Sequence, residues 1–125
     1  MILETKHINK SYLQADKTPV QVINDINFSV NSGETVSITG PSGSGKTTLL
    51  SLIAGLDRPD TGKIILDNQD ITKMTEDALA KYRAEKIGFV FQQFHLMPHL
   101  SVAENIALPM EILKKQNISP KIDEV

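Results

Sequence analysis

Residues 40–47 read Gly40-Pro41-Ser42-Gly43-Ser44-Gly45-Lys46-Thr47. They satisfy every fixed position of G-x-x-x-x-G-K-[ST], the phosphate-binding P-loop. The flanks agree with the motif. Residues 34–39 lead in with Val36 and Ile38 alternating, as in a strand, and residues 48–54 lead out with helix-forming, apolar character. Strand, glycine loop and helix is the order in which the motif works. Glycines let the backbone curl and bring several N–H groups towards one point. Those donors join the positive end of the following helix dipole, and together they make an anion site. Gly40, Pro41, Ser42, Gly43, Ser44, Gly45, Lys46, Thr47 and Thr48 are therefore the candidate phosphate-binding residues. Lys46 is expected on the β- and γ-phosphates, with the Thr47 hydroxyl on Mg²⁺.

Working outward, 125 residues suffice for one domain with a sizeable core. Lysine and arginine number 13 against 15 acidic residues, a formal net charge of −2, so no basic nucleic-acid surface is indicated. Cysteine is absent, which excludes disulfides and thiolate metal sites and suits a cytosolic protein. Glu4 interrupts the start of the chain, so no signal peptide is expected there. The longest apolar stretch, residues 49–56, is far short of a membrane span.

Residues 2–8 read as a strand, residues 12–19 as a polar turn and residues 20–30 as a second strand, with Ile26, Phe28 and Val30 on one face. Asn31, Ser32 and Gly33 form a tight turn ahead of the P-loop strand. Gly55 is placed to stop the P-loop helix. Residues 63–66 read as a short strand turned by Asp67 and Asn68, and Thr75 as the N-cap of a helix over residues 76–85. Residues 87–91 read as a buried strand. Ser101 and Glu104 form a capping box for a helix carrying Ile106, Met110 and Leu113 on one side, which Pro109 should bend or break. His95 and His99 have i, i+4 spacing, but Pro98 lies between them in a loop, which disfavours a zinc site.

Taken together these segments resemble the ATP-binding cassette of ABC transporters. Lys10-Ser11-Tyr12 is similar to the family's aromatic adenine-stacking loop, residues 49–62 to the text that follows its Walker A motif, and residues 87–98 to its Q-loop. The wording is closest to the lipoprotein-release, macrolide-export and antimicrobial-peptide-resistance group. The resemblance implies an α/β P-loop NTPase fold: an antiparallel β part over residues 1–33, a P-loop core part over 34–93, and the Q-loop with the start of the helical subdomain over 94–125. It implies ATP and Mg²⁺ as ligands, Tyr12 stacked on adenine, and Gln92 with Thr47 on the metal. It further implies a transmembrane permease partner contacted through residues 94–98 and the helix after Ser101, and a second ATPase subunit in the full-length form. The expected location is the cytoplasmic face of a membrane, held through the permease, with no nucleic-acid partner.

The parts that cleave ATP in this family are not found. A Walker B segment needs about four apolar residues before Asp-Glu, whereas Asp123-Glu124 follows Pro120, Lys121 and Ile122 and reads as a helix start. Leu100-Ser101-Val102 only mimics the opening of the Leu-Ser-Gly-Gly-Gln signature. The chain is thus expected to be the N-terminal part of a cassette that binds MgATP and needs the missing half for hydrolysis. Three alternatives remain beside that reading. One is a truncated nucleotide-binding module without turnover. Another is a nucleotide kinase, disfavoured because 39 residues precede the loop. The last is a non-transport ABC ATPase, disfavoured by the near-neutral charge.

Overall fold

The computed structural model describes residues 1–92 and 96–112. They belong to two compact units, Met1–Arg83 and Ala84–Val125. In the first, strands β1 (Leu3–Leu13) and β2 (Pro19–Val30) pair antiparallel from Leu3↔Val30 to Leu13↔Pro19. The turn between them is shorter than the sequence suggests. Gln14 N–H donates to Thr18 O at 2.9 Å, while Tyr12 pairs with Val20 and so sits in the strand. β3 (Thr61–Leu66) takes the other edge of β1, and β4 (Gln69–Asp70) closes a hairpin on β3. The sheet order is β2-β1-β3-β4, antiparallel throughout. The hairpin turn is Asp67-Asn68, both at positive φ (45° and 63°), which matches the right-handed twist of the strands.

Helix α1 (Lys46–Ile53) buries Leu49 and Leu52. Leu52 meets Ile64 of β3, Ile71 of a 3₁₀ turn (Ile71–Lys73) and Leu79 of α2 (Glu76–Lys86) around one small cavity. Ile8, Leu52, Ile64 and Leu79 are the largest fully buried side chains. Each such aliphatic chain contributes roughly 1.5–3 kcal/mol relative to exposure. Gly55 ends α1 as its sequence position indicates. At φ 70° it lets Leu56 N–H reach Ser51 O (2.9 Å) and its own N–H reach Leu52 O (3.1 Å), the paired bonds of a Schellman cap. Thr75 Oγ1 accepts from Ala78 N–H at 3.2 Å and caps α2, and the Tyr82 hydroxyl ties that helix to Leu66 O at 3.0 Å.

The β1–β2 ladder is irregular near its middle. His7 (φ 50°) and Asp25 (φ 48°) both hold left-handed backbone, and the register shifts between Thr5 and Ile8 and again between Ile8 and Lys10. Side chains carry this bulge. His7 N–H donates to Asn27 Oδ1 (2.8 Å), Asp25 N–H to Asn9 Oδ1 (2.9 Å), and His7 Nδ1 lies 2.7 Å from Asp25 Oδ1.

Two expected strands are not formed. Residues 34–39 and 87–91 carry no ladder, Val36 is 53% exposed and Val90 is 96% exposed, so the segment at 87–91 is not buried. Alternating apolar residues specify a preference, but a strand exists by pairing, and neither segment forms a ladder among the described residues. In the second unit, α3 (Val102–Ile112) starts on the expected capping box. Glu104 N–H donates to Ser101 Oγ, and Ser101 N–H to Glu104 Oε1, both at 3.1 Å. The helix runs through Pro109 without a break. Asn105 fastens the preceding turn, accepting from Met97 N–H (2.9 Å) and donating to Ser101 O (2.9 Å). Phe94, His95, Leu113 and the Asp123-Glu124 pair lie outside the described residues.

Candidate functional site

The glycine loop leads directly into α1. Ser42 and Gly43 form its turn, and Ser44 N–H donates to Pro41 O at 3.2 Å. Gly45 is the residue before the helix, at φ 95°. A Cβ there would lie 3.0 Å from both Val22 O and Val22 Cγ1, so only glycine lets the loop pass this close to β2. No side chain caps the helix start. The first-turn amides of α1 therefore remain available as donors, backed by the positive end of the helix dipole. Lys46 Nζ turns back into the loop and donates to Gly40 O and Pro41 O, each at 2.7 Å. The ammonium is thus tied back to the loop carbonyls. Thr47 is exposed beside it and Thr48 is half-buried. This donor set, all N–H and ammonium with a free hydroxyl next to it, suits a polyphosphate with a divalent cation.

A cavity of about 290 Å³ opens behind the loop, lined by Val22, Ile23, Ile38, Gly40, Lys46 and Leu49 among others. Its β2 side carries Val22, Ile23, Asn24 and Ile26, and the loop lines the other.

Tyr12 ends β1 on the same unit. Its hydroxyl donates to Asp57 Oδ2 at 2.7 Å. That hydrogen bond, followed by burial, pushes the phenol above its usual value, and the neighbouring Thr48 hydroxyl acts in the opposite sense. The same bond is the main cause holding the Asp57 carboxyl below the usual carboxylate range. Gln92 is exposed, in a bend of the second unit. Leu96 and Met97, expected at a partner surface, are 65% and 44% exposed. Among the described residues no group of three or more metal-ligating side chains forms, and no helix is long and apolar enough to cross a membrane.

Sequence reasoning missed the residues around Tyr12. Lys10 Nζ lies 5.1 Å from the Tyr12 ring centroid and donates to Arg58 O at 2.8 Å. Asp60 accepts from Ser11 N–H at 2.7 Å. Arg58 is itself held by Glu76 (2.9 Å) and by Met74 O (2.6 Å). The signal available was the charged Asp57-Arg58-Pro59-Asp60 cluster, whose partners in β1 lie more than 40 residues away in the chain.

The family model described as "ABC transporter" matches residues 23–125. The chain belongs to the ABC transporter family. It is 42% identical over 120 residues to the lipoprotein-releasing system ATP-binding protein LolD of Idiomarina loihiensis, covering 96% of this chain and 52% of that one. It is 44% identical over 108 residues to the macrolide export ATP-binding/permease protein MacB of Sodalis glossinidius, covering 86% of this chain and 16% of that protein. Among solved structures it is similar to the dimeric post-hydrolysis ATP-binding cassette MJ0796 bound to ADP and Pi, with a TM-score of 0.84 and 41% identity over 92% of this chain and 49% of that one. The ABC chain described here therefore has the α/β P-loop fold of these cassettes and spans about half the length of LolD and of that cassette.

Proposed function

We propose that this ABC chain binds MgATP and serves as the nucleotide-binding part of a subunit that energises transport across a membrane. The supporting observation is the loop at residues 40–48, with Lys46 Nζ drawn among the loop carbonyls and the start of α1 left uncapped. Gly40 to Thr48 would hold the phosphates, Tyr12 would stack on adenine, and Thr47 with Gln92 would hold Mg²⁺. The metal, when bound, would neutralise phosphate charge. The chain's own contribution is positioning: backbone amides and the Lys46 ammonium fix the phosphates, and Tyr12 fixes the base.

Hydrolysis needs a catalytic carboxylate and an opposing signature loop, and these 125 residues contain neither motif. We assign those parts to the remainder of a cassette of the relatives' length. In that complete form a second cassette and a transmembrane permease would be the partners, with the exposed Leu96 and Met97 beside the permease at the cytoplasmic face. The missing motifs favour one second reading, a binding module that holds ATP without turnover. Measuring ATP affinity and phosphate release on the same 125-residue chain tests both. Saturable MgATP binding is expected. Absence of binding refutes the proposal, and binding with no release points to the module.

A further inference from the structure

The hydroxyl of Tyr12 donates to Asp57 across 45 positions of sequence, and an ammonium lies over the same ring. A tyrosine at a strand end, 41% exposed, would otherwise turn about two torsions and lose that freedom on meeting a ligand. Here two constraints act on it. The Asp57 carboxylate takes the one proton the phenol can donate, at 2.7 Å. Lys10 Nζ lies 5.1 Å from the ring centroid, in the range of a cation–π contact.

The restraining groups are themselves restrained. Lys10 has a side chain only 13% exposed and is held by Arg58 O (2.8 Å), Asp57 Oδ1 (3.4 Å) and Asp60 Oδ1 (3.6 Å). Asp60 also fixes the backbone at Ser11, and Arg58 is clamped by Glu76 and by the carbonyls of Thr72 and Met74. A rigid loop therefore backs the ring.

We infer that Asp57 and Lys10 are positioning residues for the nucleotide base: they hold the Tyr12 ring in one orientation and cover one of its faces, leaving the other for stacking. This rests on the nucleotide-binding reading proposed above. The opposed titration behaviour of the pair, phenol raised and carboxyl lowered, is what a neutral phenol donating to a carboxylate produces.

The test compares two probes, ATP and inorganic tripolyphosphate, which share the phosphate loop but not the base. Tyr12→Phe keeps the ring and removes the hydroxyl. Asp57→Ala removes the acceptor, and Asp57→Asn retains one. Tyr12→Phe and Asp57→Ala are expected to weaken ATP about three- to tenfold, the loss of one orienting hydrogen bond, while tripolyphosphate binds as in the parent and Asp57→Asn recovers most of the ATP affinity. If both variants bind ATP like the parent while Tyr12→Ala loses affinity, the positioning role is overturned and stacking survives. Equal weakening of both probes overturns it too, because the residues would then act only on the fold. If Tyr12→Ala binds ATP like the parent, or the parent binds neither probe, the nucleotide reading fails and takes this inference with it.

Discussion

Replacing Gly45 by alanine perturbs the junction where the glycine loop passes β2 and enters α1. Gly45 holds φ 95°, and the added Cβ would lie 3.0 Å from Val22 O and Cγ1 and 3.2 Å from Ile23 Cδ1. A side chain in left-handed backbone costs about 1–2 kcal/mol. Pushing the loop off a β2 carbonyl, which is backbone and cannot rotate away, adds about 1–3 kcal/mol of overpacking. Gly45→Ala is therefore expected to destabilise by about 2–5 kcal/mol. Gly43 is the internal control. It has φ 79° but nothing within 4 Å of an added Cβ, so Gly43→Ala carries the backbone cost alone. Thermal unfolding followed by far-UV circular dichroism separates the two. At about 4 °C per kcal/mol for a chain of this size, Gly45→Ala should melt several degrees below Gly43→Ala. Equal melting temperatures would refute the claim that close approach to β2 fixes the loop.

Other outcomes follow from the same structure. Leu52→Ala, at a fully buried position, should cost about 2–5 kcal/mol in urea unfolding, whereas Leu50→Ala, at 44% exposure, should cost far less; similar values would place the α1 core face wrongly. Asn68→Gly should raise the unfolding free energy measured in urea slightly, by about 0.5 kcal/mol, because glycine occupies left-handed backbone without strain; a loss of stability would contradict the Asp67-Asn68 turn. The extra affinity for ATP over tripolyphosphate should depend on pH at both ends. The raised Tyr12 phenol favours its protonated form, so its contribution is present below the usual value of 10.0 and is lost as pH rises through the raised value. The lowered Asp57 carboxyl favours its ionised form, so its contribution is present above the usual carboxylate range and is lost as pH falls through the lowered value. Between these limits the increment should be flat, and Tyr12→Phe should remove the alkaline limb; a limb that persists in that variant belongs to another group.

Local chemistry made much of the fold legible. The Gly55 stop, the Asp67-Asn68 turn, the Thr75 cap and the Ser101/Glu104 capping box each depend on a few adjacent residues, and each forms as the sequence indicates. Pairing choices were not legible. The sequence shows that residues 63–66 favour a strand, but not that β3 would join β1 in the antiparallel sheet. Alternation marked residues 34–39 and 87–91 as strands, yet alternation cannot report whether a neighbour is present. The left-handed His7 and Asp25 depend on Asn9 and Asn27, brought near by the β1–β2 register. At the site, the P-loop motif located the glycine loop that leads into α1 because that geometry is local. The setting of Tyr12 was hidden because Asp57 reaches its hydroxyl, and Arg58 O the neighbouring Lys10, across the fold.

The most direct test is a titration of MgATP against the parent chain and Lys46→Ala. Saturable binding by the parent and a loss of about tenfold or more on removing the charge-assisted contacts of Lys46 are expected. No binding by the parent, or equal affinity without the Lys46 ammonium, would contradict a nucleotide held by residues 40–48.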